Sequence, residues 1–311
     1  NTGLAMKILG ADATLMGKIG RDDFGDIVCR VLRAYGCEDS MIVSEQTGTS
    51  YSIILAIPGV DRIIFHNPGA NDVFYMEDLD LDRVREAALF HFGYPPIMKS
   101  MYASGGAELV RLFRTVSEMG VLTSLDMAMV QEQTEAGSAD WAGIIQAVLP
   151  YTDFFVPSVE ELLLMLERER YHDILERSGG RDITEVISLE EDVKPLAKRC
   201  IEMGAGCVLI KCGAPGLYYK TAGTGFAEML SQRTGSERSD WAGQEGFEHS
   251  YVPGRVRSAI GAGDTTIGAF LTAMLDGYPL QRCLQLATAT GASCVETYDA
   301  LSSLKPFDEL E

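Results

Sequence analysis

The stretch Ile260-Gly261-Ala262-Gly263-Asp264-Thr265-Thr266-Ile267-Gly268-Ala269-Phe270 carries the clearest chemistry in the chain. Small residues precede an apolar helical run. With no large side chain in the way, the backbone N–H groups of Gly261, Ala262 and Gly263 can converge on one point, and a helix start adds partial positive charge there. That combination suits an anion. Asp264 falls in the first turn, beside the same point. A carboxylate repels a bound phosphate, so it is out of place in a pure anion site. It fits a base that takes a proton from a hydroxyl attacking phosphorus. A tight turn closed by an Asp N-cap is the plainer alternative. On these residues alone it stands ahead, because short glycine motifs recur widely by chance. Two other phosphate loops are excluded. A Gly-x-Gly-x-x-Gly fingerprint would need glycine at position 266, which is Thr266, and no Gly-Lys-Ser/Thr of a Walker A loop occurs.

The elements that must position this stretch follow from hydrophobic periodicity. Residues 13–19 read as a strand and 26–34 as a helix with Ile27, Val28, Val31 and Leu32 on one face, stopped by Gly36. Residues 51–57 and 62–66 are short β-rich runs joined by Pro58-Gly59-Val60-Asp61, which predicts a hairpin. Strands at 88–92, 121–126, 153–157, 207–211 and 217–220 then alternate with helices near 105–119, 140–148, from 159, 264–275 and 280–295. Alternation of this kind predicts a parallel sheet covered on both faces. The hairpin stands outside that repeat and reads as a small β appendage. Residues 168–192 and 221–250 read as insertions forming surface loops or short helices.

The chain has 311 residues, 46% of them apolar and 23% charged, which is a globular mix for one large α/β domain. Its 26 Lys and Arg stand against 45 Asp and Glu, a net charge of −19. Such a surface repels phosphate backbones and argues against sequence-independent nucleic-acid binding, but not against a small phosphate ligand held by local N–H groups. The longest apolar stretch, 51–60, is broken by Pro58 and too short to span a bilayer. Seven scattered cysteines form no Cys-x-x-Cys pair and do not cluster with the four histidines, which argues against a zinc site. With an odd count and no signal peptide, reduced thiols in a cytoplasmic enzyme are the expectation.

Gly261-Ala-Gly-Asp264 leading into a helix near the C-terminus resembles the signature of the ribokinase-like (PfkB) carbohydrate kinases. Other segments are similar to that family in the family's order. Asn1-Thr-Gly-Leu-Ala5, Leu9-Gly10-Ala11 and Gly17-Lys-Ile-Gly20-Arg-Asp-Asp-Phe-Gly25 resemble its first signature, where an Asn contacts the sugar. Pro68-Gly69-Ala70-Asn71 resembles the Gly-Ala-Asn after the lid. Ser158-Val-Glu-Glu161 sits where the family has Asn-x-x-Glu, whose Glu helps organise magnesium and phosphate. Lys211-Cys-Gly213-Ala-Pro-Gly216 resembles the Lys-x-Gly-x-x-Gly turn on the nucleotide side. The resemblance covers essentially the whole chain and places residue 1 some thirty to forty residues into the family's pattern.

The resemblance implies a three-layer α/β/α sandwich over 1–311, with a mostly parallel sheet and a β-hairpin lid near 48–67. It implies ATP-dependent phosphorylation of a sugar hydroxyl. Asp264 is then the base and the 261–264 backbone the anion hole. Asn1 and Asn71 orient the substrate. Lys211, Gly213, Gly216 and Thr288 border the nucleotide, and Glu161 organises Mg2+ through water. The family's Asp-Thr-Thr before Gly-Ala-Gly-Asp is replaced by Ser258-Ala259-Ile260, which removes a carboxylate that commonly helps hold a monovalent cation. Little potassium activation is therefore expected. Ser158 in place of Asn keeps one oxygen on the magnesium side. Two alternatives stay open: a nucleoside kinase, with Tyr51 or Phe65 as a slab for the base, and a non-catalytic sugar- or nucleotide-binding relative. Arg62 and His66 on the hairpin, His91 at a strand end, and Gly291-Ala292-Ser293 beside Thr288 are secondary candidates, for each of which packing or solvation is a competing explanation; Asp126, also at a strand end, fits a phosphate-side or a structural hydrogen-bonding role equally. The hairpin should project from the main sheet, where its apolar face of Tyr51, Ile53 and Leu55 would cover the substrate or pair with a second copy in a homodimer.

Overall fold

A computed structural model describes residues 1–37, 40–55 and 63–309. Ten strands are found among them: β1 (Gly17–Gly20), β2 (Met41–Ser44), β3 (Tyr51–Leu55), β4 (Ile63–Asn67), β5 (Leu89–Phe92), β6 (Leu122–Leu125), β7 (Phe154–Phe155), β8 (Cys207–Lys211), β9 (Gly216–Thr221) and β10 (Glu245–His249). The helices are α1 (Thr2–Ile8), α2 (Asp23–Ala34), α3 (Leu81–Glu86), α4 (Lys99–Glu118), α5 (Trp141–Val148), α6 (Val159–Leu166), α7 (Arg168–Ser178), α8 (Lys194–Glu202), α9 (Thr224–Thr234), α10 (Ala262–Leu275) and α11 (Leu280–Cys294). None is long and apolar enough to cross a membrane among the described residues.

The main sheet has six strands in the order β10-β9-β8-β7-β6-β5. Strands β5 to β8 run parallel, and β9 and β10 are antiparallel additions at one edge. Alternate residues of one strand feed opposite cores, as the strand period requires. Phe154 and Leu209 pack with Phe270, Leu271 and Leu284 of α10 and α11. Phe155, Val208 and Ile210 pack with Leu112, Ile144 and Leu162 of α4, α5 and α6. The sheet is therefore covered on both faces, which gives the three expected layers.

The hairpin forms its own two-stranded sheet, with Ile53 paired to Phe65, and stays apart from the six-stranded one. Ile53 and Phe65 are 52% and 58% exposed, while the Tyr51 ring stacks on Phe24 of α2 at 4.6 Å. The turn Pro58-Gly59-Val60-Asp61 and Arg62 lie outside the described residues. The root of the hairpin is held by the Gly20–Gly25 motif. Asp22 accepts from the N–H and hydroxyl of Thr49, at 2.7 Å each, and from the Gly25 N–H at 2.8 Å. Those bonds pull the Asp22 carboxyl below its usual pKa.

Three expectations need correction. The strand read at 13–19 is limited to Gly17–Gly20, because its partner β2 is only four residues long. The helix read at 105–119 extends back to Lys99, but Ala103–Gly106 interrupt it, with Ser104, Gly105 and Gly106 at positive φ. The segment 221–250, expected as surface loops or short helices, forms the short helix α9 and, beyond that expectation, the edge strand β10. Phe226 and Leu230, one helical turn apart, are buried, and Trp241 packs edge-on against Phe154 and Phe270. Few apolar residues suffice there because Phe226, Leu230 and Trp241 are buried.

Candidate active site

The chemistry-bearing residues converge at the C-terminal ends of the parallel strands, where open α/β sheets place ligands. Helix α10 starts there. Gly261 takes a left-handed conformation (φ 80°), and a Cβ on it would lie 2.3 Å from Cβ of Ala300, so only glycine fits. The Ala262 N–H is turned back to the Ala259 carbonyl at 3.3 Å, and the Thr265 N–H begins the helical ladder on the Gly261 carbonyl at 2.9 Å. Between them, the N–H groups of Gly263 and Asp264 meet no backbone acceptor among the described residues. Of the donors expected along 261–264, Ala262 is thus already engaged, while Gly263 and Asp264 offer two donors at a helix start, an arrangement that can hold an anion.

Asp264 is 8% exposed. Its Oδ2 accepts from Asn1 Nδ2 at 2.6 Å, and its Oδ1 accepts from the Tyr94 hydroxyl. Asn1 reaches it because α1 lies directly on α10. Gly268 permits that approach, since a Cβ there would stand 3.1 Å from the Thr2 carbonyl. Asp264 does not cap α10: the N-cap residue is Gly261, and no side chain caps it. The capping alternative is thereby removed.

Lys211 ends β8. Its ammonium makes a two-pronged contact with the Asp126 carboxylate at 2.7 and 2.9 Å. Asp126 follows β6 and is fully buried. A Cβ built on Gly263 would lie 3.3 Å from Lys211 Cδ and 3.7 Å from Nζ, so this ammonium stands beside the first turn of α10. Burial pulls the Lys211 ammonium down, but Asp126, Glu161 and Asp264 outweigh it and hold its pKa above the ordinary value. Burial pushes the Asp126 carboxyl up to about 7 against the opposing pull of Lys211. Burial also pushes the Tyr94 phenol up, and the nearby Asp264 carboxylate adds to it, so the phenol stays protonated. His91 on β5 bonds the Ser124 hydroxyl at 2.9 Å, and burial pushes its imidazole down to about 4 despite Asp264 nearby.

Glu161 forms a capping box on α6. Its Oε2 accepts from the Ser158 N–H at 2.7 Å, while the Ser158 hydroxyl accepts from the Glu161 N–H at 3.3 Å. Ser158 also bridges Lys211 across β8. Gly213 and Gly216 shape the β8–β9 turn at φ 65° and 142°, and a Cβ on Gly216 would lie 2.1 Å from the Glu248 carbonyl. Asn71 is half-buried in a short 3-10 turn whose Ala70 N–H binds the Gly48 carbonyl at 2.8 Å, next to the hairpin root. Thr288 is buried in α11, with its hydroxyl on the carbonyls of Leu284 and Gln285 at 3.2 and 3.1 Å. Asn1, Asp264, Lys211 and Glu161 thus gather with Tyr94 and Asp126, while Asn71 and Thr288 make no hydrogen bond to that group among the described residues. The loop leading into Gly261 borders a cavity of about 490 Å3, lined by Val252, Arg255, Ser293, Thr297, Ser303 and Lys305.

A model of the pfkB family carbohydrate kinases matches residues 1–306. The chain belongs to that family. It is 23% identical over 301 residues to an uncharacterized sugar kinase of Archaeoglobus fulgidus, covering 97% of this chain and 98% of the relative. It is 26% identical to fructokinase-1 of Zea mays over 129 residues, which is 40% of this chain and 39% of the relative. Among solved structures, Arabidopsis thaliana ribokinase complexed with ribose and ATP superposes with a TM-score of 0.71 at 19% identity, over 99% of this chain and 84% of that one. Fructokinase of Xylella fastidiosa with bound ATP gives a TM-score of 0.70 at 19% identity, over 99% and 87%.

In this pfkB-family kinase the sequence reading had passed over Tyr94 entirely and left Asp126 divided between phosphate-side and structural roles. A signal existed for both. Each follows the C-terminal end of a parallel strand, the position from which α/β enzymes draw site residues.

Proposed function

We propose that this chain transfers the terminal phosphoryl group of ATP to a hydroxyl of a sugar or sugar-like alcohol, with Asp264 as general base. The observation that carries the reading is a nearly buried carboxylate in the first turn of α10, flanked by two uncommitted N–H groups and the Lys211 ammonium. An acceptor hydroxyl beside Asp264 Oδ1 gives its proton to the carboxylate as its oxygen bonds to phosphorus and the bond to the ADP oxygen breaks. Charge on the transferring group is met by the N–H groups of Gly263 and Asp264 and by Lys211. The cavity beside the loop leading into Gly261 has room for the rest of the nucleotide; Arg255 and Lys305 line it together with Glu296.

Among the described residues no three acidic, histidine or cysteine side chains converge as a metal cage. That is compatible with Mg2+ arriving on ATP, since such ions keep phosphate and water ligands and need only one or two carboxylates. Glu161 is the residue here that would serve, because its cap uses only Oε2. When bound, Mg2+ would neutralise phosphate charge. The hairpin, rooted on Thr49 and Asp22, serves as the lid that shuts water out.

For a nucleoside acceptor the Tyr51 ring is already stacked on Phe24, which leaves the exposed Phe65 as the candidate slab for the base. A panel of sugars, sugar acids and nucleosides tests the reading through ADP release. At least one sugar or sugar acid should give saturable, acceptor-dependent ADP formation. ATP binding without turnover on any acceptor would favour the non-catalytic alternative.

A further inference from the structure

We propose that Tyr94 is a positioning residue that keeps the acceptor-side oxygen of Asp264 occupied until a substrate hydroxyl replaces it, so that the base does not activate water. The inference rests on the reading of Asp264 as the base. Both carboxylate oxygens are held by protein donors, Oδ2 by Asn1 at 2.6 Å and Oδ1 by the Tyr94 hydroxyl. The two donors are not equivalent. The Asn1 amide comes from α1, packed against α10, and orients the carboxylate from behind. Tyr94 comes from the segment directly after β5, at the strand ends where ligands enter. It is followed by Pro95 and Pro96, both buried, whose fixed φ holds the segment stiffly.

A phenol is a fitting occupant. It stays protonated here, so it can only donate to the carboxylate, and it donates as a sugar hydroxyl would. An acceptor hydroxyl can therefore exchange for it with no loss of hydrogen bonding to Asp264. Unlike water, the phenolic oxygen is tied to a ring and a stiff backbone and cannot follow the phosphorus. Removing only that oxygen leaves a space of about one water's size beside Oδ1. Oδ1 is one of the polar partners such a water needs, and the phosphate oxygens of bound ATP supply others. Bound ATP then meets an activated water. The water oxygen bonds to the terminal phosphorus, the bond to the ADP oxygen breaks, and the water proton passes to Asp264 and on to solvent. The products are ADP and inorganic phosphate, with no sugar phosphorylated.

The test uses the whole chain with ATP and Mg2+ and no acceptor, following ADP and inorganic phosphate. Tyr94→Phe keeps the ring and its packing, and its thermal unfolding midpoint is measured beside the parent's. Acceptor-free hydrolysis should rise roughly ten-fold or more, with the 10²–10⁴ that a positioned base contributes as the ceiling. The double variant Tyr94→Phe/Asp264→Asn should lose that gain. Unchanged or lower hydrolysis in Tyr94→Phe would overturn the proposal. So would a gain that persists in the double variant, because the water would then be activated elsewhere. Asp264→Asn alone separates the two levels: if it still phosphorylates an acceptor, the base assignment fails; if it does not while Tyr94→Phe leaves hydrolysis unchanged, only the guarding role fails.

Discussion

Replacing Lys211 by Met removes the cation from a buried pair while keeping a long apolar stem. Asp126, fully buried, then holds a carboxylate with no counter-charge. Breaking such a pair from one side costs about 3–5 kcal/mol, which for a chain of this size lowers the unfolding midpoint by about 5–8 °C. The loss should depend on pH, and its sign is fixed. Burial raises the folded Asp126 pKa from the ordinary 3.8 to about 7. A raised carboxyl stabilises the fold below its unfolded value, and that contribution is lost as pH climbs through the folded value. Without Lys211 the folded value rises further, so the loss continues past pH 7, at about 1.4 kcal/mol per pH unit. Differential scanning fluorimetry at pH 6 and pH 8.5 should therefore show a larger deficit for Lys211→Met at the higher pH. Adding Asp126→Asn should restore most of the stability by removing the stranded charge. Turnover should not return, because no ammonium remains beside the anion hole. Equal deficits at the two pH values, or no recovery in the double variant, would refute the charged-pair account.

Two further outcomes follow from the same geometry. Gly263→Ala puts a methyl group 3.3 Å from Lys211 Cδ, inside the anion hole but at an ordinary helical position; steady-state assays should show turnover falling by roughly ten-fold or more, while the unfolding midpoint holds or rises through better helix propensity. Ser258 supplies no carboxylate, and its hydroxyl is taken by the Ile260 N–H at 3.1 Å; exchanging potassium for sodium or a bulky organic cation should change the rate by less than about two-fold, and saturable activation by potassium would show that backbone carbonyls alone hold the ion.

The parts of this molecule legible in its sequence are those specified locally. Gly261-Ala-Gly-Asp264 announces its turn because glycine alone tolerates the left-handed start and the contact with Ala300. The strand–helix alternation is a periodicity, and Ser158-Val-Glu-Glu161, taken for its resemblance to Asn-x-x-Glu, also carries the spacing of the capping box it forms. What escaped the sequence is non-local. Lys211 and Asp126 are 85 positions apart and meet because β8, β7 and β6 are neighbours in the sheet. Tyr94 and Asp264 are separated by 170 positions; the place of Tyr94 just after a parallel strand marks it as a site candidate but not which carboxylate it meets. Residues 221–250 looked polar because the sheet edge they complete needs only Phe226, Leu230 and Trp241 from them.

The most direct test of the central claim is turnover of Asp264→Asn on an accepted substrate, measured with its ATP affinity. Asn keeps the size of the side chain and removes the base. The account predicts that turnover falls by roughly 10²–10⁴, while ATP binding holds or tightens as repulsion between carboxylate and phosphate disappears. Turnover within a few-fold of the parent, with ATP binding intact, would contradict it.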